Sequence, residues 1–158
     1  MRKILVIGSG KSTAYLLKYL LDKSSSEKLH ITIGDINIET IREQFEVNAI
    51  APLRVVDELY QQFTSGSKVA MITSRMGSVA DNGSGGRYGY RMSKAALNAA
   101  AMSLSKDLAG QNVAVGIYHP GYVQTDMVNH GGDISTNERG QRLVGLINQL
   151  TDYDEKID

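Results

Sequence analysis

Short runs of branched apolar residues alternate along this chain with segments whose apolar positions recur every three or four residues. That alternation constrains the fold more than any other feature. Residues 3–7 (KILVI) are almost continuously apolar and run straight into Gly8-Ser9-Gly10, the pattern of a strand buried on both faces. Leu16, Leu17, Leu20 and Leu21 then take helical spacing up to Ser24-Ser25-Ser26, and a second strand, 30–34, ends at Asp35. From Ile38 to Phe63 the apolar residues step by three or four, which predicts one long amphipathic helix or two collinear ones. A third strand is expected at 68–73, a glycine-rich loop at 77–89, an alanine-rich helix at about 90–109 with Gly110 as its C-cap, and a fourth strand at 113–118. Ser135 and Glu138 form a capping box before a last helix through Leu143, Leu146, Ile147 and Leu150. Strands alternating with helices predict an α/β fold, a three-layer doubly wound parallel sheet. One domain over 1–158 is expected, with 1–37 as its opening strand–helix–strand unit and 38–150 carrying the chemistry.

Composition narrows the function classes. With 17 Lys+Arg against 17 Asp+Glu and no basic run, the chain has no electrostatic footprint for nucleic acid or an anionic membrane. Its apolar runs fall far short of the roughly twenty residues a membrane span needs. No Cys is present, so disulfide and thiolate chemistry are excluded and a reducing cytoplasm is the expected compartment. The basic Arg2-Lys3 start is cut short by Gly8 and reads as no signal peptide. Three scattered His without carboxylate pairing give no metal site.

In a doubly wound sheet, ligands bind beyond the carboxyl ends of the strands. After the first strand, Gly8, Ser9, Gly10 and Lys11 stand where backbone amides at a helix start can hold a pyrophosphate; the third glycine of G-x-G-x-x-G is replaced by Thr13 or Ala14. A glycine turn without ligand is the alternative. A triphosphate P-loop is excluded, because Leu5 occupies the position of its first glycine. Asp35 can bond ribose hydroxyls and so favours NAD, or it is a loop residue capping the next helix; Lys11 can pair with a 2′-phosphate and favours NADP. Tyr90 and Lys94, four apart on a helix, share one face, and a cation beside a phenol favours the phenolate a proton-transfer catalyst needs.

Ile72-Thr73-Ser74-Arg75-Met76-Gly77-Ser78, Tyr90-x-x-x-Lys94 with Ser93 before the lysine, and Pro120-Gly121-Tyr122-Val123-Gln124-Thr125-Asp126-Met127, in that order, resemble the short-chain dehydrogenase/reductase family, most nearly its carbonyl-reductase-like members, over about 45–150. The resemblance implies a Rossmann-like fold and hydride transfer between NAD or NADP and a small carbonyl or alcohol substrate. Its implied catalytic residues are Asn48, Ser74, Tyr90 and Lys94, with Tyr90 as proton donor and acceptor. Its implied cofactor-binding residues are Gly8, Ser9, Gly10, Lys11, Asp35, Tyr90, Lys94, Pro120, Gly121, Val123 and Thr125. Ser74 lies farther from Tyr90 than is usual in the family, so Ser78 stays an alternative; the strand end favours Ser74, with 81–86 absorbing the extra length. Pro52 has no N–H, so the carbonyl four residues earlier, that of Asn48, loses its helical partner and is free to hold a water as a proton relay. A homodimer through helices 38–63 and 90–109 is implied as well.

Two strands usual in the family between Asp35 and the Asn48 helix are absent, the opening glycine turn is closer to a saccharopine-dehydrogenase-type Rossmann start, and no last strand is expected after Leu150. The pattern therefore reads as a chimera or internal deletion, with a shortened sheet of strand order 2-1-3-4. A non-catalytic truncated or chimeric scaffold that keeps the motif residues is the alternative function.

Overall fold

The computed structural model describes residues 36–122, 133–151 and 154–156. The chain divides into two compact units, Met1–Ile36 and Asn37–Asp158, and the second is described by itself. Strands 3–7 and 30–34, the first two in the expected order, lie outside the described residues, as do Gly8, Ser9, Gly10, Lys11, Asp35, Val123 and Thr125.

Helix α1, Ile38–Phe45, starts at Asn37, whose side chain accepts from the Thr40 N–H at 3.0 Å. It passes into a π-helical turn, Glu46–Ile50, and then into α2, Ala51–Leu59, with Pro52 in the first turn of α2. The helix expected over 38–63 is thus one run with a widened turn just before Pro52. There the Ala51 N–H bonds the Glu46 carbonyl five residues back, which accommodates a ring that cannot join the ordinary ladder.

Strand β1, Lys68–Ile72, is parallel to β2, Ala114–Tyr118, in a register that sets Lys68 opposite Ala114 and Ile72 opposite Tyr118. These are the expected third and fourth strands, side by side. Between them runs α3, Tyr88–Leu108, and after β2 comes α4, Thr136–Gln149, capped as expected by Ser135 accepting from Glu138 N–H at 3.2 Å. The acidic tail departs from expectation. Asp154–Lys156 forms β3, parallel to β2 and opposite Gly116 to Tyr118, so the order is β1-β2-β3 with β2 in the middle. A strand this short is chosen by the backbone groups on the free edge of β2, and its residues carry no apolar signal.

Every residue of β2 is buried, as a central parallel strand requires. α3 buries a stripe at Gly89, Ser93, Leu97, Ala101, Ser105 and Leu108, spaced mostly by four. Leu97, Ala101 and Leu108 join Val56, Met71, Val113, Val115 and Ile117 in the core. The small members of the stripe bring helix and neighbours close. A Cβ on Gly89 would lie 3.0 Å from the Ile41 Cα, so this glycine lets α1 cross the start of α3. The other end of α3 corrects a second expectation. Gly110 lies within a short 3-10 turn, Ala109–Gln111, and Asn112 is the residue in the left-handed conformation at φ 54°. Its side-chain amide donates to Ser65 Oγ at 2.8 Å and so offsets the strain of that conformation.

Candidate functional site

The carboxyl ends of β1 and β2 carry the motif residues. Pairing continues one residue beyond the strands, where the Thr73 N–H donates to the Tyr118 carbonyl at 2.9 Å. Ser74 follows immediately. It is buried and extended, and its Oγ accepts from the Met76 N–H at 3.2 Å, capping the 3-10 turn Arg75–Gly77. That bond uses an oxygen lone pair and leaves the hydroxyl proton to donate. Ser78 closes the same turn, and its oxygen accepts from the Asp81 N–H at 3.4 Å within the exposed loop.

Gly77 explains the Ser-x-x-Gly spacing physically. A Cβ there would stand 2.9 Å from the Lys94 carbonyl carbon and 3.0 Å from the Lys94 Cβ, so the turn after Ser74 is pressed onto α3 at the lysine. Lys94 in turn reaches back to the sheet. Its Nζ donates to the Ile72 carbonyl at 3.1 Å and lies 5.9 Å from the centre of the Tyr90 ring. Burial lowers the Lys94 pKa below the ordinary lysine value. One more turn along α3, Asn98 Oδ1 accepts from the buried Thr73 hydroxyl at 2.5 Å, a second tie between strand end and helix.

Asn48 sits in the π-helical turn. Its Nδ2 donates to Ser93 Oγ at 3.1 Å, and Ser93 donates to the Tyr90 carbonyl at 3.0 Å. Asn48, Ser74, Tyr90 and Lys94 are therefore linked through α3 and the turn packed against it. Ser93, Thr73 and Asn98 are the partners that sequence reading overlooked. For Ser93, its place three residues after Tyr90, on the face that carries Leu97, is the signal in the sequence.

The loop between Ser78 and α3 is exposed on the outside of the unit. Arg75 pairs with Asp81 at 2.8 Å, Arg91 Nη2 donates to Ser84 at 2.9 Å, and Gly85 and Gly86 enter the helix at φ 65° and 64°. After β2, Gly121 turns the chain at φ 76°. Tyr118 is fully buried, and its ring folds back over Gly116 two residues before it. Tyr122 is exposed. His119 is half-buried, and burial together with the charges of Arg75 and Arg139 holds its pKa below the ordinary histidine value. Among the described residues no cluster of His, Asp or Glu could hold a metal ion, and no helix is long and apolar enough to cross a membrane.

Comparison with known proteins bears on the family and the fold. The family model for short chain dehydrogenase matches residues 28–133, beginning earlier than the motifs alone indicate. The chain is 39% identical over 119 residues to 1-hydroxy-2-glutathionyl-2-methyl-3-butene dehydrogenase of Rhodococcus sp. (strain AD45), covering 75% of this chain and 53% of that protein. It is 43% identical over 130 residues to C-signal of Myxococcus xanthus, covering 81% of this chain and 76% of that protein. Among solved structures, a short-chain dehydrogenase/reductase of Burkholderia multivorans with bound NADP superposes with a TM-score of 0.70 at 29% identity, over 79% of this chain and 56% of that one. The chain thus spans about half the length of the Rhodococcus and Burkholderia proteins. The fold is the α/β, Rossmann-like class expected from the strand–helix alternation. With its ordered motifs, its parallel sheet and a family match over most of its length, the chain belongs to the short-chain dehydrogenase family.

Proposed function

We propose that this chain is an NAD(P)-dependent oxidoreductase exchanging hydride between a nicotinamide cofactor and a carbonyl or alcohol substrate. The observation that carries the reading is Lys94, half-buried, bonded to the strand-end carbonyl of Ile72 and 5.9 Å from the Tyr90 ring centre, with the turn of Ser74 packed on its backbone. An ammonium, a phenol and a free hydroxyl proton around one strand end are the donor set that suits a ribose and a carbonyl oxygen. The residues present therefore fit the nicotinamide end of the cofactor. The cofactor, when bound, supplies or accepts the hydride.

In the reductive direction Ser74 donates a hydrogen bond to the substrate oxygen, Tyr90 gives that oxygen its phenolic proton, and the Lys94 cation stabilises the phenolate left behind. Oxidation reverses each transfer. Lys94 would also hold the ribose hydroxyls of the cofactor, and Asn48 with Ser93 fixes the turn of α3 that carries Tyr90. Ser74 is preferred to Ser78 because a buried strand end holds its hydroxyl more firmly than an exposed loop does. Pro120, Gly121, Val123 and Thr125 are assigned to the nicotinamide end, and Gly8, Ser9, Gly10, Lys11 and Asp35 to the adenine and pyrophosphate end. A cytoplasmic homodimer through α1, α2 and α3 belongs to the same reading. Exposed Val55 on α2 and Met92 on α3, with Val47 in the π-helical turn between α1 and α2, support it.

Titration with NADH and NADPH, followed by nicotinamide fluorescence, tests the proposal. Saturable binding is expected, and no binding at millimolar cofactor overturns it in favour of a non-catalytic scaffold. Tyr90→Phe is then expected to abolish ketone turnover while cofactor affinity stays; unchanged turnover refutes the role of Tyr90.

A further inference from the structure

The edge where β1 and β2 end carries more positive charge than hydride transfer to a neutral ketone requires. Arg75 stands in the turn after β1, and His119 is the first residue after β2. Arg139, in the first turn of α4, lays its guanidinium over Gly121: a Cβ on that glycine would collide with Nη2 and come within 3.1 Å of Cζ. Both guanidinium charges act on the His119 ring. Asp81 compensates Arg75 at 2.8 Å, but Arg139 makes no ion pair among the described residues. Its Nε and the His119 Nδ1 are buried without a hydrogen-bond partner among the described residues. An orphaned imidazole nitrogen beside a guanidinium that has an orphaned nitrogen of its own and no ion pair among the described residues is the complement of a bound anion. A carboxylate suits them best, because it is planar and acceptor-only, and matches the fork of an arginine.

We infer that Arg139 and His119, with Arg75 behind them, hold the carboxylate of the substrate, so that the site takes carbonyl compounds bearing an anionic group. The inference rests on the carbonyl–alcohol reading of the same site and specifies its substrate class. The cofactor phosphates are the other source of an anion. The place of the cluster favours the substrate: Arg75 follows Ser74 directly, and His119 follows Tyr118, whose carbonyl accepts from the Thr73 N–H next to Ser74, whose hydroxyl proton meets the substrate oxygen.

Two measurements test it on the full chain. The first is the ratio of kcat/KM for 4-formylbenzoate to that for benzaldehyde, in the parent and in Arg139→Gln. The ratio is expected to fall roughly tenfold, the effect of one charge-assisted contact. An unchanged ratio overturns the inference, and a loss appearing only in the cofactor KM assigns the anion to the cofactor. The second needs no turnover: benzoate is added while the His119 ring resonances are followed by NMR, assigned through His119→Gln. A saturable shift toward the imidazolium position, absent in Arg139→Gln and not reproduced by chloride at equal ionic strength, is expected. No shift, or the same shift with chloride, overturns the site. If benzoate shifts His119 while neither aldehyde is reduced, the oxidoreductase reading fails and the anion site stands. If both aldehydes are reduced equally without a shift, the reverse holds.

Discussion

Gly77→Ala tests the geometry that joins Ser74 to Lys94. The added Cβ would meet the Lys94 carbonyl carbon at 2.9 Å, its Cβ at 3.0 Å and the Ala95 nitrogen at 3.1 Å. Carbon atoms sit comfortably at roughly 3.5–4.0 Å, so the 3-10 turn must back away from α3 by about half an ångström or more. All three obstacles are backbone or next to it, in the middle of a 21-residue helix, and no flexible side chain can swing aside. Overpacking of this kind costs about 1–3 kcal/mol. Because the turn is capped by Ser74, the displacement also moves the Ser74 hydroxyl relative to Tyr90, and misplacement on the order of 1 Å costs about a hundredfold in rate. The expected result is a stability loss of about 1–3 kcal/mol in guanidinium denaturation, with kcat lowered about ten- to a hundredfold and the cofactor dissociation constant little changed. Gly110→Ala is the control: nothing lies within 4 Å of its Cβ, and the loss of backbone freedom in the unfolded chain makes it neutral or slightly stabilising. If Gly77→Ala matches this control in stability and kcat, the close approach does not position the site.

Leu97, 1% exposed at the centre of the core, is expected to cost about 2–5 kcal/mol on truncation to Ala, read from the denaturation midpoint at unchanged slope; a loss under about 1 kcal/mol contradicts the packing described. A double-mutant cycle on Asn48→Ala and Ser93→Ala should show a coupling of about 0.5–1.5 kcal/mol for their 3.1 Å bond, and strict additivity would remove Asn48 from the support of Tyr90. His119 should titrate below the ordinary 6.5 by NMR, because of burial first and then Arg75 and Arg139. Between its lowered folded value and 6.5 the unfolded chain binds a proton that the folded chain does not, so stability rises with pH across that window, and His119→Gln should flatten the rise. A His119 titration at or above 6.5 refutes the cationic environment.

The parts of the fold legible in the sequence are those where side chains report burial. Periodicity locates α3 and α4, the branched runs locate β1 and β2, and the Ser135–Glu138 pair marks a helix start to the residue. The strand at 154–156 is illegible for the opposite reason, since backbone pairing with the free edge of β2 selects it. Pro52 shows an intermediate case. Its missing N–H correctly marks a break in the helical ladder, but the chain answers by widening the turn ahead of the ring, and α2 continues. Gly110 and Asn112 divide in the same way: the sequence shows a helix ending there, and the 3-10 turn moves the left-handed position two residues on. At the site, Ser74, Tyr90 and Lys94 are visible as motif residues. What joins them is not, because the joining contacts use Gly77, whose function is the absence of a side chain, and Ser93 and Thr73, whose hydroxyls look like any others. Arg75, His119 and Arg139 are the extreme case: they lie on three separate elements, and only the strand register and the Arg139–Gly121 contact bring their charges together. Residues that act by convergence are therefore the ones to probe in pairs, since no one of them carries a sequence signal alone.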